Sequence, residues 1–173
     1  MENQANSKSI ILNYGLYYGI VSVILSVILY AMGKHLEQGI GMMVLGFGVM
    51  IAFIILGIKK FKSDNGGFLA WGQSLKIGIG IVLIGALIAI VYQQIFINFI
   101  EPDFMTQVGE KTRQTLYDAG LTQEQIESQM EMQQKFQGPL ISSALTLVGA
   151  AFFGFVFSAI AGAIMKKSEE DQY

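Results

Sequence analysis

Residues 77–100 read IGIGIVLIGALIAIVYQQIFINFI. No Asp, Glu, Lys, Arg or His interrupts these 24 residues. About 20 apolar residues suffice for a helix to cross bilayer hydrocarbon, where a helix satisfies its own backbone polar groups without water. Three more stretches have the same character: 10–32, 40–58 and 140–165. Every charged residue and the single histidine, His35, fall outside the four. The expected fold is therefore all-α: a polytopic membrane protein with four transmembrane helices, a helical extracytoplasmic insertion over 103–138 between helices three and four, and one membrane domain over 1–173.

Composition agrees. The chain is 53% hydrophobic and 14% charged, with a mean hydropathy of +0.51. Twenty glycines are many for helices in water but ordinary in membrane helices, where small residues let backbones approach. A net charge of −2 without a basic block argues against a nucleic-acid partner. The absence of cysteine excludes disulfides and thiolate metal sites. The first span follows Lys8, and Ala31-Met32-Gly33 loosely mimics a cleavage site. Its 23 apolar residues exceed the roughly 7–15 of a signal h-region, so a retained helix is expected.

The polar start, MENQANSKS over 1–9, is expected to fray. Tyr14, Tyr17, Tyr18 and Tyr30 sit near the two ends of the first span, where amphipathic aromatics favour the membrane–water boundary. The link GKHLEQG over 33–39 is short enough to turn the first two spans back on each other. Lys59, Lys60 and Lys62 end the second span. SDNGG over 63–67 is a turn signal, and Phe68 and Trp71 read as interfacial anchors. Pro102 and Pro139 bracket the long polar segment. Two helices are expected in it, 103–119 and 123–136, joined at Gly120-Leu121, with Thr122 as N-cap and Gln125 closing a capping box. Their apolar stripes (Phe104, Val108, Leu116 and Ala119; Ile126, Met130 and Phe136) are too thin for an independent core. They would pack on each other, on the membrane, or on a second subunit. Pro139 suits the first turn of the fourth helix.

Cations set the orientation. Lys8, Lys59, Lys60, Lys62, Lys76, Lys166 and Lys167 lie on one side; Lys34, Lys111, Arg113 and Lys135 lie on the other. Both termini and the 59–76 connection are therefore expected in the cytoplasm. The outward stretch 101–138 carries seven acids against three bases.

Few residues suggest chemistry. His35 lies beside Lys34 and Glu37 in a tight turn and reads as solvated, since catalysis or metal binding needs converging partners. Gln73, Ser74 and Lys76 read as interfacial anchoring rather than a head-group contact. Tyr92, Gln93, Gln94 and Asn98 could line a cavity but read better as bonds across helices. Glu101, Asp103 and Glu110 lack the spacing of a metal loop and read as acids complementing the next helix dipole. Asn13, Ser22, Ser26, Ser142, Ser143, Thr146 and Ser158 are scattered, and their hydroxyls can bond back to the helix. Gly15/Gly19, Gly85/Ala89 and Ser158/Gly162 are small-x-x-x-small pairs that permit close contact, within or between subunits. Gly78-Ile79-Gly80 lacks the strand and the Gly-Lys-Ser/Thr of a nucleotide loop. No catalytic, cofactor-binding or metal-binding residue is assigned, and no cofactor is expected.

The segments GQSLKIG (72–78), LIGALIAIVYQQIFINFIEPDF (83–104) and GLTQEQIESQMEMQQKF (120–136) together resemble a family of small bacterial membrane proteins known as domain of unknown function 4199. The resemblance extends over nearly the whole chain. It implies four spans in a bacterial cytoplasmic (inner) membrane and carries no catalytic residues. The expected function is non-enzymatic, through protein or lipid interaction: a scaffold, an accessory subunit or an oligomer, with the lipid bilayer as one partner and a second copy or a membrane protein, met through 103–138, as another. The alternative is a small oligomeric channel or transporter for a neutral solute, although carriers usually place ionisable residues within the membrane. A membrane enzyme is not expected; His35 converging with an acid on a buried cleft would reverse that expectation.

Overall fold

A computed structural model describes residues 6–37 and 39–167. Its elements are α1 (Ser7–Ala31), α2 (Ile40–Asp64), α3 (Trp71–Ile95), a π-helical turn (Phe96–Ile100) that continues α3, α4 (Phe104–Asp118), α5 (Gln123–Phe136) and α6 (Pro139–Met165). α1, α2, α3 with its π turn, and α6 are long and apolar enough to cross a membrane. The chain is thus an all-helical, multi-pass membrane protein.

α1, α2 and α3 each outrun their apolar stretch at one end, where caps and turns, not the apolar boundary, set the limit. The Asn6 side chain accepts from the Lys8 and Ser9 amides, so α1 starts at Ser7, inside the stretch expected to fray; residues 1–5 lie outside the described residues. α2 runs past its lysines to Asp64, with Lys60 and Asp64 paired at 2.8 Å, and stops where Gly66 and Gly67 take positive φ. α3 begins at Trp71, and the Gln73 side chain accepts from the Ala70 amide at 2.8 Å. α5 starts with the expected cap: the Gln125 amide donates to Thr122 Oγ1 and the Thr122 amide to Gln125 Oε1.

α3 is the central element, lying most closely along α1 on one flank and α6 on the other, while α2 leans on all three. The α3–α6 contact is reciprocal. Ser74 of α3 sits against Gly162 of α6, and Ser158 of α6 sits against Gly78 of α3. Both serines are fully buried. Each returns its hydroxyl to its own helix, Ser74 to Trp71 O and Ser158 to Gly154 O. Ser74 is therefore a packing residue of the helix contact rather than an interfacial anchor. The small residues of α1 are also used internally: a side chain at Gly15 or Gly19 would collide with Ile84 or Ile88.

The two ends of the bundle differ. At the end carrying the α2–α3 connection, Ile54, Ile58, Ile77 and Ile81 are fully buried. A backbone clasp closes this end: Leu69 and Lys167 exchange two hydrogen bonds of 3.0 Å. Lys62 Nζ donates to Met165 O at 2.7 Å, and Trp71 Nε1 donates to Ala159 O at 3.2 Å. Toward the opposite end the packing around α2 and α6 is looser: Gly41, Gly46, Gly48 and Gly149 have no atom within reach of an added Cβ. α4 and α5 extend from this open end as an arm and pack chiefly on each other, with Ile126 and Met130 buried between them.

A cavity system at the open end of the bundle

Three cavities occupy this more loosely packed half. One of about 280 Å³ lies between α1 and α3. Another of about 330 Å³ lies between α1 and α2. The third, about 370 Å³, lies among α1, α2, α3 and α6. Ser22 lines all three. The walls are mainly apolar, interrupted by hydroxyls of Tyr18, Ser22, Ser26 and Thr146. Ligand pockets commonly enclose about 300–1,000 Å³ with apolar walls and a few placed polar groups.

His35 stands at the rim. It is not a solvated turn residue: its side chain is 16% exposed, and Nε2 lies 2.9 Å from Glu101 Oε2. The two atoms meet the distance of a hydrogen bond but not its direction, and among the described residues neither they nor His35 Nδ1 has a hydrogen-bond partner. Glu101 Oε1 accepts from Gln107 Nε2 at 2.9 Å. Tyr30 meets the imidazole edge-on at 5.0 Å, Phe104 stacks on it at 6.0 Å, and Phe96 lies 6.3 Å away. The cluster thus joins the α1–α2 turn, the end of α3 and the base of α4. Glu101 serves that junction instead of merely complementing the dipole of α4; the Asp103 side chain, at the N-cap position, makes no cap hydrogen bond.

The π turn positions Glu101. Its amide bonds five residues back to Phe96 O at 2.9 Å, and the Asn98 side chain donates to Gln94 O at 2.7 Å. Such turns widen a helix and recur at functional sites. Tyr92 and Gln93 line the first cavity with His35. Among the described residues, the side chains of Tyr92, Gln93, Gln94 and Asn98 make no hydrogen bond to another helix; Tyr92 and Gln93 line the first cavity, and Gln94 and Asn98 line none of the three. The hydroxyls of Ser26, Ser142, Ser143, Thr146 and Ser158 bond back to their own helix, yet Ser22 and Ser26 also belong to the cavity wall.

The convergence that would argue for catalysis is therefore partly present, since His35 and an acid meet beside a cavity. Acid–base catalysis also needs a ring nitrogen within reach of a substrate, and nucleophilic catalysis needs a hydroxyl bonded to that nitrogen. Both imidazole nitrogens are closed off from solvent and, among the described residues, bond no hydroxyl. Among the described residues no group of three metal-ligating side chains comes together. The sequence signal for the His35–Glu101 meeting is weak: both residues fall just beyond ends of apolar stretches on the same side of the expected bilayer.

A family model described as "Protein of unknown function (DUF4199)" matches residues 13–167. No curated protein and no solved structure matches the chain.

Proposed function

The chain belongs to the DUF4199 family, and from the open end of its bundle we propose that it is a non-enzymatic membrane protein that binds a lipid-like amphiphile between its helices. The observation that carries this reading is the meeting of three cavities at Ser22. Apolar walls with scattered hydroxyls suit an acyl chain and a polar neck, whereas empty apolar space within a bundle forfeits dispersion contacts. A continuous pore is the weaker reading, because Ile54, Ile58, Ile77 and Ile81 are fully buried at the other end. We place the protein in a bacterial cytoplasmic membrane with both termini and the 59–76 connection in the cytoplasm, so that the cavities face the outer leaflet and the α4–α5 arm stands outside. The excess of lysine on the terminal side supports that orientation.

Native mass spectrometry of the purified chain tests the binding reading. Wild type should carry co-purified lipid. Ser22→Leu, which puts a bulky side chain where the cavities meet, should lose it with an unchanged helical circular dichroism spectrum. A wild-type chain that carries no lipid overturns the reading.

A further inference from the structure

The groove between α1 and α2 is layered in a way that names a ligand. Lys34 and Glu37 stand at its mouth, Ser22 and Ser26 line its middle, and Leu25, Leu45 and Val49 belong to its wall. The lining residues of α1 run from Tyr18 to Leu29, about 17 Å of helix at 1.5 Å per residue. That matches one leaflet, half of a hydrocarbon core about 30 Å thick.

The two charges at the mouth are free to meet a ligand. Among the described residues Lys60 pairs with Asp64 and His35 lies against Glu101, so Lys34 and Glu37 pair neither with each other nor with another described side chain. Glu101 accepts from Gln107 and faces the His35 imidazole. Glu37 is thus the carboxylate left at this mouth, three residues from a free ammonium.

Resting on the binding reading above, we propose that this groove is a site for a zwitterionic phospholipid bearing a primary amine, with its phosphate on Lys34, its ammonium on Glu37 and one acyl chain between α1 and α2. The ammonium supplies the N–H donors that a carboxylate accepts; a quaternary amine has none. An anionic head without an amine would place its phosphate on Lys34 and leave the Glu37 carboxylate beside it without a cation of its own. The groove, at about 330 Å³, holds the neck and upper chain, and the second chain stays in the bilayer. The apolar lower wall favours the membrane lipid over its free head group.

The test offers the purified full chain equal amounts of phosphatidylethanolamine, phosphatidylglycerol and phosphatidylcholine in detergent, read by native mass spectrometry. Phosphatidylethanolamine should be retained roughly tenfold over the other two, the size of one charge-assisted hydrogen bond. Glu37→Gln should lower it to the level of phosphatidylglycerol. Lys34→Gln should lower all three, since each has a phosphate. Free phosphoethanolamine at equal concentration should displace nothing. Equal retention of the three lipids, a preference that survives Glu37→Gln, retention indifferent to Lys34→Gln, or displacement by free phosphoethanolamine each overturns the proposal. Retention without head-group preference leaves the binding reading standing and removes this one, whereas no retention of any phospholipid removes both.

Discussion

Two glycines on α6 face opposite circumstances. At Gly162 a side chain would run into Ser74 of α3, whereas at Gly149 nothing lies within 4 Å. Gly162→Leu should therefore destabilise the bundle by about 1–3 kcal/mol, as overpacking does in close-packed interiors. Gly149→Leu should leave the unfolding midpoint nearly unchanged. Unfolding in mixed micelles, followed by circular dichroism, measures both; equal losses would mean that the two ends of the bundle are packed alike. Gly149 lines the cavity among α1, α2, α3 and α6, so the same Gly149→Leu variant should retain less lipid while keeping its stability. The small-x-x-x-small spacings were visible in the sequence, but whether each glycine meets a neighbour was not, because that depends on the azimuth of a second helix.

At the scale of elements, the spans were legible because uncharged stretches of 19 to 26 residues leave few alternatives, and the start of α5 was legible because a capping box is a local pattern. The π turn was not, since neither composition nor periodicity marks a single widened turn. The His35–Glu101 junction was equally hidden: 65 residues lie between the two, and only the lateral packing of α1 on α3 brings them together. That junction predicts how the arm behaves. α4 and α5 pack chiefly on each other, so the arm's docking rests on Glu101, Gln107 and Phe104. His35→Ala should raise deuterium uptake of the 104–118 amides without changing the spans; unchanged uptake would mean that the arm is held by other contacts. Thr122→Ala removes the α5 cap and should cost about 1 kcal/mol, seen as faster exchange confined to the first turn of α5.

For the whole molecule, the decisive measurement is sidedness. The chain has no cysteine, so single thiols report cleanly. Thr122→Cys should react with a membrane-impermeant maleimide from outside the cytoplasmic membrane, and Ser63→Cys only after that membrane is opened. The reverse pattern would turn the molecule over and move the cavity mouths to the inner leaflet. The cavities themselves arise at this scale. A clasp fastens α2, α3 and α6 at one end, the other end is left with open space around α2 and α6, and no single stretch of sequence records that difference.

The serines of the α3–α6 seam bear on how the chain is made. During synthesis α3 enters the bilayer well before α6, with the whole arm still to be translated. A buried hydroxyl that relied on a distant partner would meanwhile face hydrocarbon unbonded. Ser74 and Ser158 each carry their acceptor on their own helix, so either helix can wait in lipid alone, and the seam can close late without a chaperone shielding a polar group.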